Sequence, residues 1–279
     1  MWRCPLCQHP LSQPHPSQQQ RSWECPNRHT FDEAKSGYLH LLPVQQKKSK
    51  HPGDDKTMVN ARRRFHDAKG YAPLMAALVE QIKQQVNTNR PVHLYDAGCG
   101  EGSYLGFIAN ALTGEGYNVE AAGSDIAKHA VDIAAKRYKA CRFAVASSVK
   151  LPLEDASQHV VLQVFAPGND AEYQRIIASG GLLITVDPAA NHLWAIKQAI
   201  YDNPRQHDVQ FNDKPGFAKL ASERISFTVA LEQPDIRQAL LEMTPYYWRL
   251  PKDKADATFA GINSVEADFA VHIWQRSER

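Results

Sequence analysis

No stretch of the 279-residue chain approaches the roughly 18 to 20 consecutive apolar residues that a bilayer-spanning helix needs. The opening Met1-Trp2-Arg3-Cys4-Pro5 lacks the apolar centre of a secretory signal, so no membrane partner is expected and the expected compartment is the cytoplasm. Cysteine is scarce and odd in number: five, of which three fall in the first 25 residues. That excludes the even framework of a disulfide-stapled secreted domain and favours metal binding in a compartment that keeps thiols reduced. With 43% apolar and 22% charged residues, disorder and collagen-like repeats are excluded as well. A large excess of charge of one sign is also missing, since the net charge is only +2. It hides an asymmetry: residues 1–72 hold 12 Lys/Arg against 6 Asp/Glu, for +6, and the remainder carries −4. A basic arm on a mildly acidic body suits contact with nucleic-acid phosphates, and it equally suits a solvated linker face.

Composition divides the chain into three parts. Residues 1–35 are rich in Pro and Gln and too poor in aliphatic side chains to bury a core. Residues 36–72 form a basic linker and a helix, the latter from Met58 to Ala68 with Arg62, Arg63 and Arg64 on it. Residues 73–279 alternate helix-like and strand-like segments. Strand patterns at Val92–Tyr95, Val119–Gly123, Arg142–Ala146, Val160–Phe165 and Leu182–Val186 are separated by helical ones at Tyr104–Leu112, Lys128–Tyr138 and Ala171–Ser179. The spacing predicts an α/β fold, a mostly parallel sheet with helices on both faces, closed by a C-terminal hairpin of strands.

At the N-terminus, Cys4-Pro5-Leu6-Cys7 and Cys25-Pro26-Asn27-Arg28-His29 offer two close-spaced ligand pairs. Zinc takes thiolate and imidazole tetrahedrally, and a two-residue spacer turns both cysteines toward one ion. The long loop and the Cys-x3-His second pair point to a zinc ribbon, not a DNA-reading finger. Cys4, Cys7, Cys25 and His29 are the expected ligands; His9 and His15 are alternatives, and a loose arm without metal is the competing reading. Further on, Asp96-Ala97-Gly98-Cys99-Gly100-Glu101-Gly102 follows a strand and precedes a helix, the place where glycines let backbone approach a nucleotide-like ligand. Its leading acid and short Gly spacing resemble motif I of the class I S-adenosylmethionine-dependent methyltransferases. Asp125, 25 residues beyond Gly100 at the end of the next strand, can accept ribose hydroxyls or cap the following helix. Ser147 follows the third strand, and Phe165-Ala166-Pro167 follows the fourth, where that class places its methyl acceptor. Neither an Asn/Asp-Pro-Pro-aromatic motif nor a nucleophilic Cys stands there, so Cys99 and Cys141 read as small buried residues.

Combined with Asp32-x-Ala34-Lys35-x-Gly37-Tyr38, Leu41-Leu42-Pro43-Val44-Gln45, Pro52-Gly53-Asp54, Ala134-Ala135-Lys136-Arg137-Tyr138 and Trp274-Gln275-Arg276, these motifs resemble the zinc-containing 23S ribosomal RNA guanine-N1 methyltransferases over nearly the whole chain. That family modifies a guanine in the helix 35 hairpin of the large subunit. The resemblance implies a Rossmann-like class I methyltransferase domain behind a zinc-ribbon module, S-adenosylmethionine and Zn2+ as cofactors, the 23S ribosomal RNA hairpin as partner, and a homodimer. It assigns the cofactor to Tyr71, Asp96, Gly98, Gly100, Tyr104, Leu105, Asp125, Ser147 and His192. For Tyr71, Tyr104, Leu105 and His192, packing or surface roles are the competing reading. Two departures stand out: Ala97 where Ile is common, and Phe165 where Tyr is common, which removes any role for a hydroxyl there. The reaction needs guanine N1 aligned with an already activated methyl and relieved of its proton. Phe165, Ala166 and Pro167 are expected to position the base, and the pattern singles out no proton acceptor. A small-molecule methyltransferase of the same fold, or an RNA-binding protein with a vestigial core, is the alternative function.

Overall fold

The first strands are short. In the computed structural model, which describes residues 2–13, 21–43, 45, 53–86, 90–208, 213–247 and 258–277, β1 (Ser22–Glu24) and β2 (Thr30–Asp32) pair antiparallel with Trp23 opposite Phe31. His15 and the basic run at 47–52 lie outside the described residues. β3 (Tyr38–His40), in the stretch read from composition as linker, instead runs parallel to a strand of the central sheet. Helix α1 (Lys56–Asp67) starts at Asp55, whose side chain accepts from the Met58 N–H at 2.9 Å. Helix α2 (Ala72–Gln85) has Pro73 in its first turn, where the missing N–H costs no hydrogen bond.

The alternation then proceeds as β4 (Val92–Ala97), α3 (Ser103–Gly114), β5 (Val119–Asp125), α4 (Lys128–Arg137), β6 (Arg142–Val145), β7 (Gln158–Val164), α5 (Asp170–Ile176), β8 (Ile177–Pro188), α6 (Trp194–Ile200), β9 (Phe217–Ala230), α7 (Pro234–Glu242) and β10 (Ser264–Arg276). Helix α5 is shorter than its sequence pattern, and strand pairing begins at once, with Ile177 opposite Gln158. The β-branched Ile176 and Ile177 followed by Gly180 and Gly181 favour strand over helix. The eight-stranded sheet has the order β3-β6-β5-β4-β7-β8-β10-β9. It is parallel from β3 to β8, and β10 lies antiparallel between β8 and β9, which is the expected hairpin.

Strand alternation sends side chains to two cores. Leu94, Val160, Leu162, Ile184 and Phe269 join buried residues of α2, α3, α4 and α7 on one face. Tyr95, Val161 and Leu183 face the other way, where they meet Tyr173 and Ile176 of α5 together with Trp2, Leu11, Trp23, Cys4 and Cys25. The N-terminal segment thus serves as cover for the second face. Arg3 anchors it, donating backbone N–H to Pro152 at 2.9 Å and pairing with Asp155 at 2.6 Å.

Candidate active site and metal cluster

Two tight turns, one closed over four residues and one over three, build the N-terminal cluster. The N–H of Gln8 returns to the Cys4 carbonyl and that of Arg28 to the Cys25 carbonyl, both at 2.8 Å, and both residues are left-handed, with φ of 66° and 61°. They bring Cys4, Cys7, Cys25 and His29 together with all ligand atoms within 4.8 Å of one another. His29 Nδ1 is 3.5 Å from Cys4 Sγ and 3.4 Å from Cys25 Sγ, and Cys7 Sγ is 3.5 Å from Cys25 Sγ. A tetrahedral zinc with ordinary bond lengths would separate sulfur from nitrogen by about 3.5 Å, so this donor set fits that ion. His9 instead directs Nδ1 at the Cys7 carbonyl, 3.2 Å away, and is outside the cluster.

The second site is a cavity of about 730 Å³ along the carboxyl ends of β6, β5, β4, β7 and β8, within the range that holds small ligands. The loop after β4 is tied to the end of β5: Gly98 and Cys99 donate to the Ser124 carbonyl at 2.8 and 2.9 Å, and Gly100 donates to Asp125 Oδ2 at 3.0 Å. Gly98 has φ of +91°, and a Cβ there would stand 2.5 Å from Ala166 Cβ, so only glycine lets this loop meet the segment after β7. Asp125 Oδ1 also accepts from the Ala127 N–H at 2.7 Å. The carboxylate therefore shapes the turn before α4 without capping that helix, whose N-cap is Ala127, and it retains lone pairs for a ligand.

Asp96, Gly98, Gly100, Tyr71, Tyr104 and Asp125 line this cavity, as do Ser147, His192 and Phe165 to Pro167. Leu105 does not. It is fully buried in the first core, because one helical step of 100° turns it from the cavity, which Tyr104 faces, into the sheet. Asp96 Oδ1, Tyr71 Oη and Tyr104 Oη are buried in the wall without a hydrogen-bond partner among the described residues. Burial, reinforced by Asp125 and Glu101, pushes the Asp96 carboxyl up to about 8. Phe165 holds φ of 53°, rare for a residue with a side chain, and stays 41% exposed with its ring 6.3 Å from those of Tyr104 and His192. Strain kept at such a place presents an aromatic face to the cavity. His192 accepts the Asp268 N–H at Nδ1 (3.3 Å), and burial holds it down to about 3, so its ring is neutral with the proton on Nε2. Burial pushes the Cys99 and Cys141 thiols up, keeping both protonated.

Some of the wall was given no part in the site by the sequence reading. His66 Nδ1 donates to Glu101 Oε1 at 2.8 Å, with both side chains almost fully buried. Against the upward push of burial, His66 and Arg62 hold Glu101 down to about 2. Arg62 pairs with Asp54 at 2.5 Å and lines the cavity. Its i,i+4 spacing from His66 on α1 was the available signal. His207 and Tyr246 complete the far wall, and no local pattern marks them.

Comparison with known proteins decides what this pair of sites belongs to. Residues 2–50 match the family model described as RlmA, N-terminal, a zinc ribbon, and residues 65–231 match one described as methyltransferase domain. The 23S rRNA (guanine(748)-N(1))-methyltransferase of Streptomyces fradiae is 31% identical over 268 residues, 94% of this chain and 91% of its own length. A Bacillus subtilis protein named as a 23S rRNA (guanine-N(1)-)-methyltransferase, YxjB, is 33% identical over 264 residues, 91% of this chain and 89% of its own. The chain belongs to the 23S rRNA guanine-N1 methyltransferase family. S-adenosylmethionine and zinc are the cofactors of such an enzyme, and both sites have the chemistry for them. The methyltransferase cavity sets three buried polar atoms without partners around a glycine loop, as a ligand with an ammonium, a carboxylate and ribose hydroxyls requires. The ribbon supplies three sulfurs and a nitrogen at zinc spacing. Among the described residues no helix is long and apolar enough to cross a membrane.

Proposed function

We propose that this chain transfers a methyl group from S-adenosylmethionine to N1 of a guanine in the helix 35 hairpin of 23S ribosomal RNA. The observation that carries the reading is one cavity holding two unlike halves. Toward β6, β5 and β4 it carries polar groups, with Ser147, Asp125 and the Gly98–Gly100 loop; toward β7 and β8 it is aromatic, with Phe165 and His192. Asp125 would hold the ribose hydroxyls of the cofactor and Asp96 its ammonium group. When bound, the sulfonium supplies an activated methyl group. Phe165 stacks the target base once it has left its helix, and Ala166 and Pro167 set the rim against which its edge is aligned. Tyr71, Tyr104 and His192 close the wall around the cofactor. The zinc module and the basic segment through α1 grip the hairpin, and the relatives named for 23S rRNA support that substrate.

The same reading places the enzyme in the cytoplasm, where ribosomal RNA is assembled, and takes the homodimer implied by the family resemblance as its working form. Residues 1–35, 36–72 and 73–279 are its zinc module, basic linker with helix, and catalytic domain, with β3 as the linker's contribution to the sheet. Incubating the protein with 23S ribosomal RNA and S-adenosylmethionine, then mapping the modified base, tests this. The expected product is one N1-methylguanine in helix 35. Methylation elsewhere, or of small molecules only, refutes the proposal.

A further inference from the structure

Guanine N1 carries a proton at neutral pH, and methylation there requires a group to accept it. The cavity wall offers few acceptors. Asp54 is paired with Arg62, Glu101 with His66, and Asp125 with two backbone N–H groups. Asp96 is the next-to-last residue of β4, on the cofactor side of the Gly98 loop. His192, beside Phe165, has its Nδ1 occupied by the Asp268 N–H, so it faces the cavity only as a donor. His207 is different. Half-buried in the wall, its ring lies 6.2 Å from that of His192, which in turn stacks on Phe165 at 6.3 Å and 30°. Its Nε2 is 3.3 Å from Tyr246 Oη, and its Nδ1 has no partner among the described residues.

We propose that His207 is the proton acceptor for guanine N1, oriented by Tyr246, an assignment that rests on the guanine-N1 reading above. With Nε2–H donating to the Tyr246 oxygen, the neutral ring presents the Nδ1 lone pair to the base stacked on Phe165. The nitrogen lone pair of N1 forms the new N–C bond while the C–S bond breaks and leaves its electron pair on sulfur. The N1 proton passes to His207 Nδ1 and from there to solvent, and the imidazolium keeps its hydrogen bond to Tyr246. Among the described residues, the charged and titratable groups facing the ring are Lys197 of α6, His192 after β8 and Tyr246 after α7. Burial and then the Lys197 ammonium hold His207 below its ordinary value, so it is unprotonated and ready at neutral pH.

The test compares the wild type with His207→Ala, His207→Gln and Tyr246→Phe on 23S ribosomal RNA, from about pH 5 to about pH 9, with cofactor affinity measured by calorimetry. Expected for both His207 variants is a kcat at least about 100-fold lower with an unchanged cofactor Kd and no acid limb in the rate profile. Added imidazole should restore His207→Ala and leave His207→Gln inactive. Tyr246→Phe should keep the acid limb and move it to lower pH, since the imidazolium loses its acceptor. Variants within about threefold of wild type, or a loss that keeps the acid limb and ignores imidazole, overturn the assignment. A wild type that modifies no guanine N1 overturns the functional reading beneath it, a result distinguishable because it appears before any substitution.

Discussion

Asp96 shows how a buried carboxyl in the cavity wall weakens the ligand-free fold. It is 2% exposed, its Oδ1 has no partner, and burial lifts its carboxyl from 3.8 to about 8. The unfolded chain releases this proton near pH 4, while the folded chain keeps it to about pH 8. Over that interval the folded state binds more protons, so stability from this group falls as pH rises and levels off above it. Asp96→Asn is therefore expected to melt several degrees higher than wild type at pH 8 and at nearly the same temperature at pH 4. With saturating S-adenosylmethionine at pH 8 the order should reverse, because the wild-type carboxylate then has an ammonium partner and the amide does not. Thermal melts at the two pH values, with and without cofactor, check this; equal melting temperatures at pH 8 without cofactor would count against it. The residue was legible in its motif. Its missing partner was not, because that depends on what packs around it.

Helix α1 gives the corresponding lesson for an element. Three consecutive arginines point about 100° apart, and the fold gives each a different task. Arg62 turns into the cavity toward Asp54, and the carboxylates of Asp54, Glu101 and Asp125 favour its charge against the cost of burial. Arg64 reaches across to Glu242 of α7 at 2.5 Å. Arg63 has no ion pair among the described residues, and Asp67, a candidate partner for this run, pairs with Arg137 of α4. Of the three, Arg63 is the one left for a phosphate. Arg63→Gln should weaken RNA binding at low salt and flatten its salt dependence by about one unit of slope. Arg62→Gln should leave the slope unchanged and weaken cofactor binding instead. Affinity for a 23S rRNA fragment across a salt series, beside calorimetry with the cofactor, separates the two; equal slopes for wild type and Arg63→Gln would return α1 to the role of a solvated face.

For the whole molecule, the zinc module is part of the core and not an appendage. Trp2 and Cys4 are at most 1% exposed and share a cluster with Tyr95, Val161 and Leu183 of the central sheet. The ion therefore supports the cover of one sheet face, and its loss should reach the catalytic domain. Elemental analysis is expected to find one zinc per chain. Cys25→Ser, or a strong chelator, should lower the main calorimetric transition by several degrees and weaken RNA binding. A main transition unmoved by complete metal removal would show that the module is only tethered.

The Cys/His cluster, the glycine loop and the α/β alternation were determined by the sequence alone, because each is a local constraint: a two-residue knuckle, a strand-loop-helix junction, a hydrophobic period. The pairs that finish the site join residues far apart in the chain, His66 with Glu101 and His207 with Tyr246, and such pairs leave no periodic trace. Leu105 fell to the core, and the N-terminal module became a wall of the sheet, for the same reason. Which way a helix turns and what covers a face are settled only when the elements compete for the same apolar surface, and that competition exists only in the folded chain.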